Sequence, residues 1–238
     1  TCLLYTSDAA DDMQCVDLGG RRIIKQGVYQ IAHIRPTRDL LFLLENKKEI
    51  HRLSYRNTIT KFIFMKTSEE TFCALNSGGH NAYACLMLRC KKYIKGYISP
   101  MYDHHICLLD EYGVTLKKFS YLLNGSSLLE NAIWKLLPAQ DRNKYIVLHV
   151  LQSLDKIDTE SNKKVSTYFG AIGIRPGSQF SPSDMTIDDK DNVLLVVRDD
   201  NAIHLLDKSL KFQRLILTEE DGLHSPWSVT LDSSGYLW

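Results

Sequence analysis

The chain lacks any run of about 18 apolar residues, so no segment of it reads as a membrane-spanning helix. Its longest apolar stretches, Leu40 to Leu44, Ile146 to Leu148 and Val193 to Val197, are strand-sized and bounded by polar residues. Sustained 3.6-residue periodicity with helix caps is also missing, which argues against a helical solenoid. The six cysteines (Cys2, Cys15, Cys73, Cys85, Cys90, Cys107) show no paired CxxC spacing and no histidine at zinc-site spacing. No zinc or other metal is therefore expected. Disulfides are the alternative for an extracellular chain, but Cys73, Cys85 and Cys107 sit inside apolar runs, where a free thiol behaves as a small buried hydrophobe. Reduced core thiols in a cytoplasmic protein are the expectation. Excess charge of either sign is absent too: 29 Lys and Arg stand against 28 Asp and Glu, for a formal net charge of +1. That is not the concentrated basic footprint of a nucleic-acid-binding face.

What the chain does contain is an internal echo. Ser181-Pro182-Ser183-Asp184-Met185-Thr186-Ile187-Asp188 returns 44 residues later as Ser225-Pro226-Trp227-Ser228-Val229-Thr230-Leu231-Asp232. Of the 14 positions from Ser181 to Leu194, four are identical in the second copy and four more stay apolar. A period of that length built from strand-like segments matches one four-stranded propeller blade.

A second landmark runs in register with the echo. Leu109-Asp110, Ile157-Asp158 and Leu206-Asp207 each open a short polar turn followed by alternating residues, and the aspartates stand 48 and 49 residues apart. Asp suits a hairpin because it tolerates turn geometry and its carboxylate accepts hydrogen bonds from the turn amides. The reading is all-β. Further upstream, strands are expected at Val28 to Ile34, Leu40 to Leu44, Glu49 to Leu53, Thr60 to Met65 and Thr71 to Leu75. Blade openings fall near residues 28, 60, 132, 182 and 226, with an insertion or an extra blade expected between Asn76 and His105. Ser77-Gly78-Gly79-His80-Asn81 reads as a loop.

The stretch Gly177-Ser178-Gln179-Phe180-Ser181-Pro182, then Met185-Thr186-Ile187-Asp188, Asn192 to Val196, Asn201-Ala202-Ile203 and Leu206-Asp207, resembles an NHL repeat. Pro226, Leu231-Asp232, Gly235 and Leu237-Trp238 supply the second copy. The connection Leu217 to Leu223 is similar to that of invertebrate tripartite-motif (TRIM) NHL proteins. The match is good from about residue 100 onward and weak before it. It implies a six-bladed NHL-type β-propeller. About four and a half blades of it would lie in residues 13–238, an open fragment truncated at the C-terminus, with two unpaired sheet edges prone to self-association. One departure concerns a charged pair: the family's Asp falls on Val197 and its Arg on Ala202, so both members are missing together. A one-residue gap would instead bring Arg198 toward the Asp position. Residues 2 to 11 resemble a translated sequencing adapter, which implies that residues 1–12 are a non-native tail.

By the same resemblance the propeller is a non-catalytic recognition platform. It would select substrates for a TRIM-like ubiquitin ligase whose RING, B-box and oligomerising coiled coil lie elsewhere in the parent. Connections between blades and between second and third strands meet on one face, here offering Arg175, Gln179, Arg198, Asp199, Asn201, His224 and Trp227 as contacts. A protein partner or ubiquitination substrate is the expected ligand, with no cofactor and no membrane. Two other classes compete. An RNA-binding NHL propeller would use Arg89-Cys90-Lys91-Lys92-Tyr93-Ile94-Lys95, although the Thr218 to Gly222 connection is acidic and repels phosphate. A metal-dependent propeller hydrolase or lyase would need carboxylates, Asn and His on the axis. His104-His105 beside Asp103 is the one local cluster of such groups and reads as an exposed turn. His33, His51, His149 and His204 read as surface or blade-packing residues, and Ser77-Gly78 lacks the context of a nucleophile elbow.

Overall fold

The computed structural model of the chain describes residues 27–34, 37–44, 46, 48–65, 69–78, 82–92, 101–120, 133–140, 144–149, 153–161, 163–170, 179–232 and 234–238. They form four antiparallel sheets of four strands, each a simple meander. The first blade is β1 (Val28–Ile34), β2 (Asp39–Leu44), β3 (Glu49–Leu53) and β4 (Ile59–Phe64). The second is β5 (Glu70–Ser77), β6 (Ala84–Lys92), β7 (Met101–Leu109) and β8 (Thr115–Ser120). The third is β9 (Ile133–Pro138), β10 (Lys144–His149), β11 (Leu154–Asp158) and β12 (Lys163–Tyr168). The fourth is β13 (Pro182–Ile187), β14 (Val193–Val197), β15 (Ala202–Leu206) and β16 (Phe212–Leu217). A fifth begins after Pro226 as a short hairpin, held by the Leu231 to Leu237 bridge and by paired backbone hydrogen bonds between Thr230 and Trp238.

Blade stacking explains why the second strands are apolar on every residue rather than on alternate ones. A blade inside the stack buries both faces, so each parity of the strand packs on a different neighbour. On β10, Tyr145 and Val147 join Met87, Ile106 and Leu108 of the second blade, whereas Ile146 and Leu148 join Met185, Val193 and Leu195 of the fourth. The first and second blades share a third core of Ile34, Leu41, Leu43 and Ile50 against Phe72, Leu86 and Leu109. Each fully buried Leu, Ile or Val contributes roughly 1.5–3 kcal/mol. The aspartate turns behave as their sequence suggests. Asp110 accepts backbone hydrogen bonds from Tyr112 and Val114, Asp158 from Glu160, Asp207 from Ser209 and Lys211, each between the third and fourth strands, and Asp188 and Asp232 do the same in the first hairpin of their blades.

First strands are innermost. β1 meets β5, β5 meets β9 and β9 meets β13 across the axis. Each of these four strands carries a β-bulge near its start, where one residue is skipped in the pairing with the second strand: Tyr29, Cys73, Trp134 and Ser183. A bulge leaves its extra residue out of the ladder and re-aims it.

Several expectations need correction. The segment at Thr60 to Met65 is the fourth strand of the first blade, and the second blade opens at Glu70, not near residue 60. Among the described residues Asn76 to His105 holds no separate blade; β6 and β7 are nine residues long and pair along their whole length. That long second blade stretches the period. The described residues form four complete blades and the start of a fifth, in line with the four and a half expected, and do not form the six-bladed ring that the family resemblance implied. His104 and His105 lie in β7 rather than in an exposed turn, and His104 is buried. The missing charged pair is resolved cleanly: Val197 and Ala202 are direct cross-strand partners, both buried, so an apolar contact replaces an ionic one. Among the described residues no helix is long and apolar enough to cross a membrane.

Candidate functional site

Six of the seven residues singled out from sequence gather in one sector of one face, where the fourth blade gives way to the fifth; Arg175 lies outside the described residues. The β14–β15 hairpin supplies three of them. Its turn closes through the Asn201 amide, which donates to the Arg198 carbonyl, and Asn201 takes a left-handed conformation at φ 50° that Asn tolerates well. Ser181, at the entry to β13, fastens the hairpin: its carbonyl accepts from the Arg198 amide at 3.1 Å and its hydroxyl from the Asp199 amide at 2.9 Å. Gln179 is exposed just ahead of it.

The connection from β16 then reaches over. The Ser225 amide donates to Asn201 Oδ1 at 2.7 Å, placing His224 and Trp227 beside the hairpin. The Arg198 guanidinium lies over the Trp227 ring, 4.8 Å from its centroid, and its Nε donates to Asp199 Oδ1 at 3.0 Å. Trp227 is nevertheless 61% exposed. A large aromatic ring held in place from one side and open to solvent elsewhere is a platform for a ligand.

Beneath this face lies a polar junction that sequence reasoning missed. Asp184 on β13 is buried and accepts from Lys135 Nζ on β9 and from the Ser228 hydroxyl, both at 2.5 Å, as well as from the amides of Met185 and Val229. One carboxylate thus links three consecutive blades around the axis. The 44-residue echo aligned Asp184 with Ser228, yet alignment gives no sign that equivalent positions touch. In each first strand the residue after the bulge occupies this level: Gln30, Ala74, Lys135, Asp184 and, by the echo, Ser228. Gln30 repeats the junction in weaker form, its side-chain oxygen accepting from the Leu75 amide.

A second polar group sits between the third and fourth blades. Tyr168 Oη lies 2.8 Å from His204 Nδ1, and His204 Nε2 lies 3.5 Å from Asp200 Oδ2. His204 is fully buried and its ring meets Phe212 edge to face. Burial lowers its pKa from the ordinary histidine value, against the opposing pull of Asp200. Burial, with the charge of Asp200, raises that of Tyr168. A neutral ring protonated on Nε2 satisfies both contacts. His149 is similarly buried against Asp155, at 3.1 Å, and Asp155 also accepts from Thr167. Both histidines pack between blades, as expected, and the fold gives each a carboxylate partner. Among the described residues no three or more His, Cys, Asp or Glu side chains are grouped to hold a metal ion. The described cysteines are free thiols, with Cys85 and Cys107 buried; burial pushes Cys107 up to about 11.

By its stacked four-stranded meanders around an inner ring of first strands, the chain is a β-propeller. No family model matches the sequence, and no curated protein does either. Solved structures do. A protein of unknown function from Bacteroides caccae is similar with a TM-score of 0.57 at 10% identity, over 82% of this chain and 63% of that one. The virginiamycin B lyase of Staphylococcus aureus is similar with a TM-score of 0.59 at 14% identity, over 96% of this chain and 70% of the lyase. A streptogramin B lyase gives 0.54 at 14% identity, over 96% and 83%. At such identities the likeness is one of fold alone.

Proposed function

We propose that this propeller is a recognition module that binds a protein partner through the face carrying Arg198, Asp199, Asn201, His224 and Trp227, and that it serves as the substrate-selecting part of a TRIM-NHL-like ubiquitin ligase. The reading is carried by one observation: an exposed tryptophan, propped by a guanidinium, in a hairpin and connection fastened to each other by side-chain to backbone hydrogen bonds. Rigid presentation of a large aromatic lowers the entropy lost on binding. The catalytic steps of ubiquitin transfer would belong to other parts of the parent protein.

A second reading, a propeller lyase or hydrolase, is favoured by the likeness to the two lyase structures. Both readings are separable with the full chain. Affinity capture from extract with the parent chain and with Trp227→Ala and Arg198→Glu should give a partner set that both variants lose. Partners retained in full by both variants sink the recognition reading. Linearisation of a streptogramin B by the chain, followed by mass spectrometry, would establish the second reading. Retention of single-stranded RNA that weakens steeply with salt would point instead to the RNA-binding class.

A further inference from the structure

We infer that the mouth of the propeller axis is a docking site for a basic peptide segment, whose arginine or lysine side chain seats on Trp227. This deepens the protein-recognition reading and rests on it.

The placement comes from the bulges. All four complete first strands skip one residue at the same point, and the echo puts Trp227 at that point in the fifth. Around the axis the skipped residues run Tyr29, Cys73, Trp134, Ser183, Trp227, so aromatic and small side chains alternate. Tyr29, Trp134 and Trp227 are 38%, 45% and 61% exposed. Ser183 is turned inward, its hydroxyl donating to the Pro226 carbonyl. The bulges take these three residues out of their ladders toward the end of the first strands at which the β14–β15 hairpin also turns.

The floor below selects against an anion. Its one described cation, Lys135, is engaged by Asp184, whose remaining capacity goes to Ser228 and to the amides of Met185 and Val229. An incoming phosphate or carboxylate would have to break that junction. A cation is instead attracted by the part of the Trp227 indole that Arg198 leaves open to solvent. The chain demonstrates the contact on itself: Arg198 stacks on Trp227 while held by Asp199.

Charge at the rim favours the same ligand. Asp199 is 43% exposed at its side chain. The adjoining turn Glu219–Asp221 presents three exposed acidic residues and no basic one. Arg198 and Asp199 offset each other in their ion pair, so the acidic excess comes from the Glu219–Asp221 turn in the same connection as Trp227, and it attracts a Lys- or Arg-bearing segment and repels nucleic acid.

The test uses the full chain and fluorescein-labelled nonapeptides bearing three arginines, three lysines or three glutamates spaced by Gly and Ser, with an oligouridylate as the nucleic-acid arm. Fluorescence anisotropy should show the arginine peptide binding roughly tenfold or more above the glutamate peptide, and weakening with salt. Trp227→Ala should lose roughly five- to tenfold, and Trp227→Phe less. The quadruple variant Asp199→Asn, Glu219→Gln, Glu220→Gln, Asp221→Asn should lose a similar factor and flatten the salt dependence. Val165→Ala, on the exposed edge strand of the third blade, should change nothing. Unchanged melting temperatures of the rim variants show that they fold. Equal binding of the glutamate peptide or of oligouridylate, or full binding by Trp227→Ala, overturns the inference. A protein partner that is captured through Trp227 but not displaced by the arginine peptide also overturns it, while leaving the recognition reading standing.

Discussion

The junction between the first and second blades and the junction between the third and fourth are built on the same plan and give a buried carboxylate different partners. At the first, the partner is a partly exposed cation: the buried Asp39 takes Arg52 at 2.7 Å and the Tyr83 hydroxyl at 2.6 Å, with the guanidinium stacked on the Tyr83 ring. Burial pushes the Asp39 carboxyl up, but the hydrogen bond of the Tyr83 hydroxyl, the Arg52 charge and the Tyr55 amide outweigh it, leaving the pKa below the ordinary value. At the second, the polar groups are within the core: Tyr168, His204 and Asp200 are all buried, and the ring is held neutral. The Asp184 junction adds a buried ion pair at the axis of the same interface. Polarity that must be both dry and satisfied is a specific but fragile way to join two sheets. The fragile junction lies beneath the face for which recognition is proposed.

The largest effect should come from Asp184→Ala. Removing the carboxylate leaves Lys135 without its anion and strips Ser228 and the Val229 amide of their acceptor, at a cost of about 3 kcal/mol in chemical denaturation. His204→Leu should cost roughly 2 kcal/mol, since the Tyr168 hydroxyl and Asp200 lose their partner without gaining another. A loss below about 0.5 kcal/mol in either case would show that the polar junction contributes little.

Acid sharpens the comparison further. A histidine whose folded pKa lies below its unfolded value of 6.5 contributes stability in full above that value and loses it as pH falls below it. Asp39 has a folded pKa below 3.8, so its contribution is present above that value and is lost only at lower pH. Between 6.5 and 4.5, above the value at which Glu49 of the first blade begins to lose its own contribution, acid should weaken the third and fourth blades first. Hydrogen exchange at about pH 5 against pH 7, corrected for intrinsic rates, should show protection falling in β12 and β15 but not in β2 and β5. In the His204→Leu variant that difference should vanish.

The first junction has its own sensitive point. Gly113, at φ 82°, packs so that a Cβ there would lie 2.9 Å from the Phe62 carbonyl oxygen of the neighbouring blade. Gly113→Ala should cost about 1.5 kcal/mol through a strained backbone and a contact that the strand carbonyl cannot relieve. Arg52→Met should cost about 1.5 kcal/mol: it leaves the buried Asp39 carboxylate without its cation, while the Tyr83 hydroxyl and the Tyr55 amide still donate to it.

The blade repeat was legible because its signals are local. Asp158 or Asp207 caps its own turn, and the apolar run Val193 to Val197 reports burial on both faces of one strand. Strand β1 and strand β3 were readable to the residue for the same reason. The second blade was not, since its nine-residue strands break the spacing that the other blades share and moved its opening from 60 to 70. His104 misled for a related reason: two histidines beside an aspartate look like a turn, and only pairing with Arg89 on β6 places them in a strand. The rim residues were legible as loop positions, and the turn chemistry of Asn201 and Ser181 is what brings them together. The Lys135 to Asp184 contact and the Tyr168 to His204 contact join residues 49 and 36 apart on different blades. Nothing within a single repeat announces either of them.

The central claim is that the face bearing Trp227 is where this propeller recognises a protein. A photo-crosslinking side chain placed at the exposed Gln179, in the same sector as Trp227, and separately at Ser209 in the exposed β15–β16 turn at the opposite end of the strands, tests it with one measurement on the full chain. The account predicts a discrete partner crosslinked from position 179, competed by unlabelled parent chain, and none from position 209. The same partner from both positions, or from 209 alone, would contradict it.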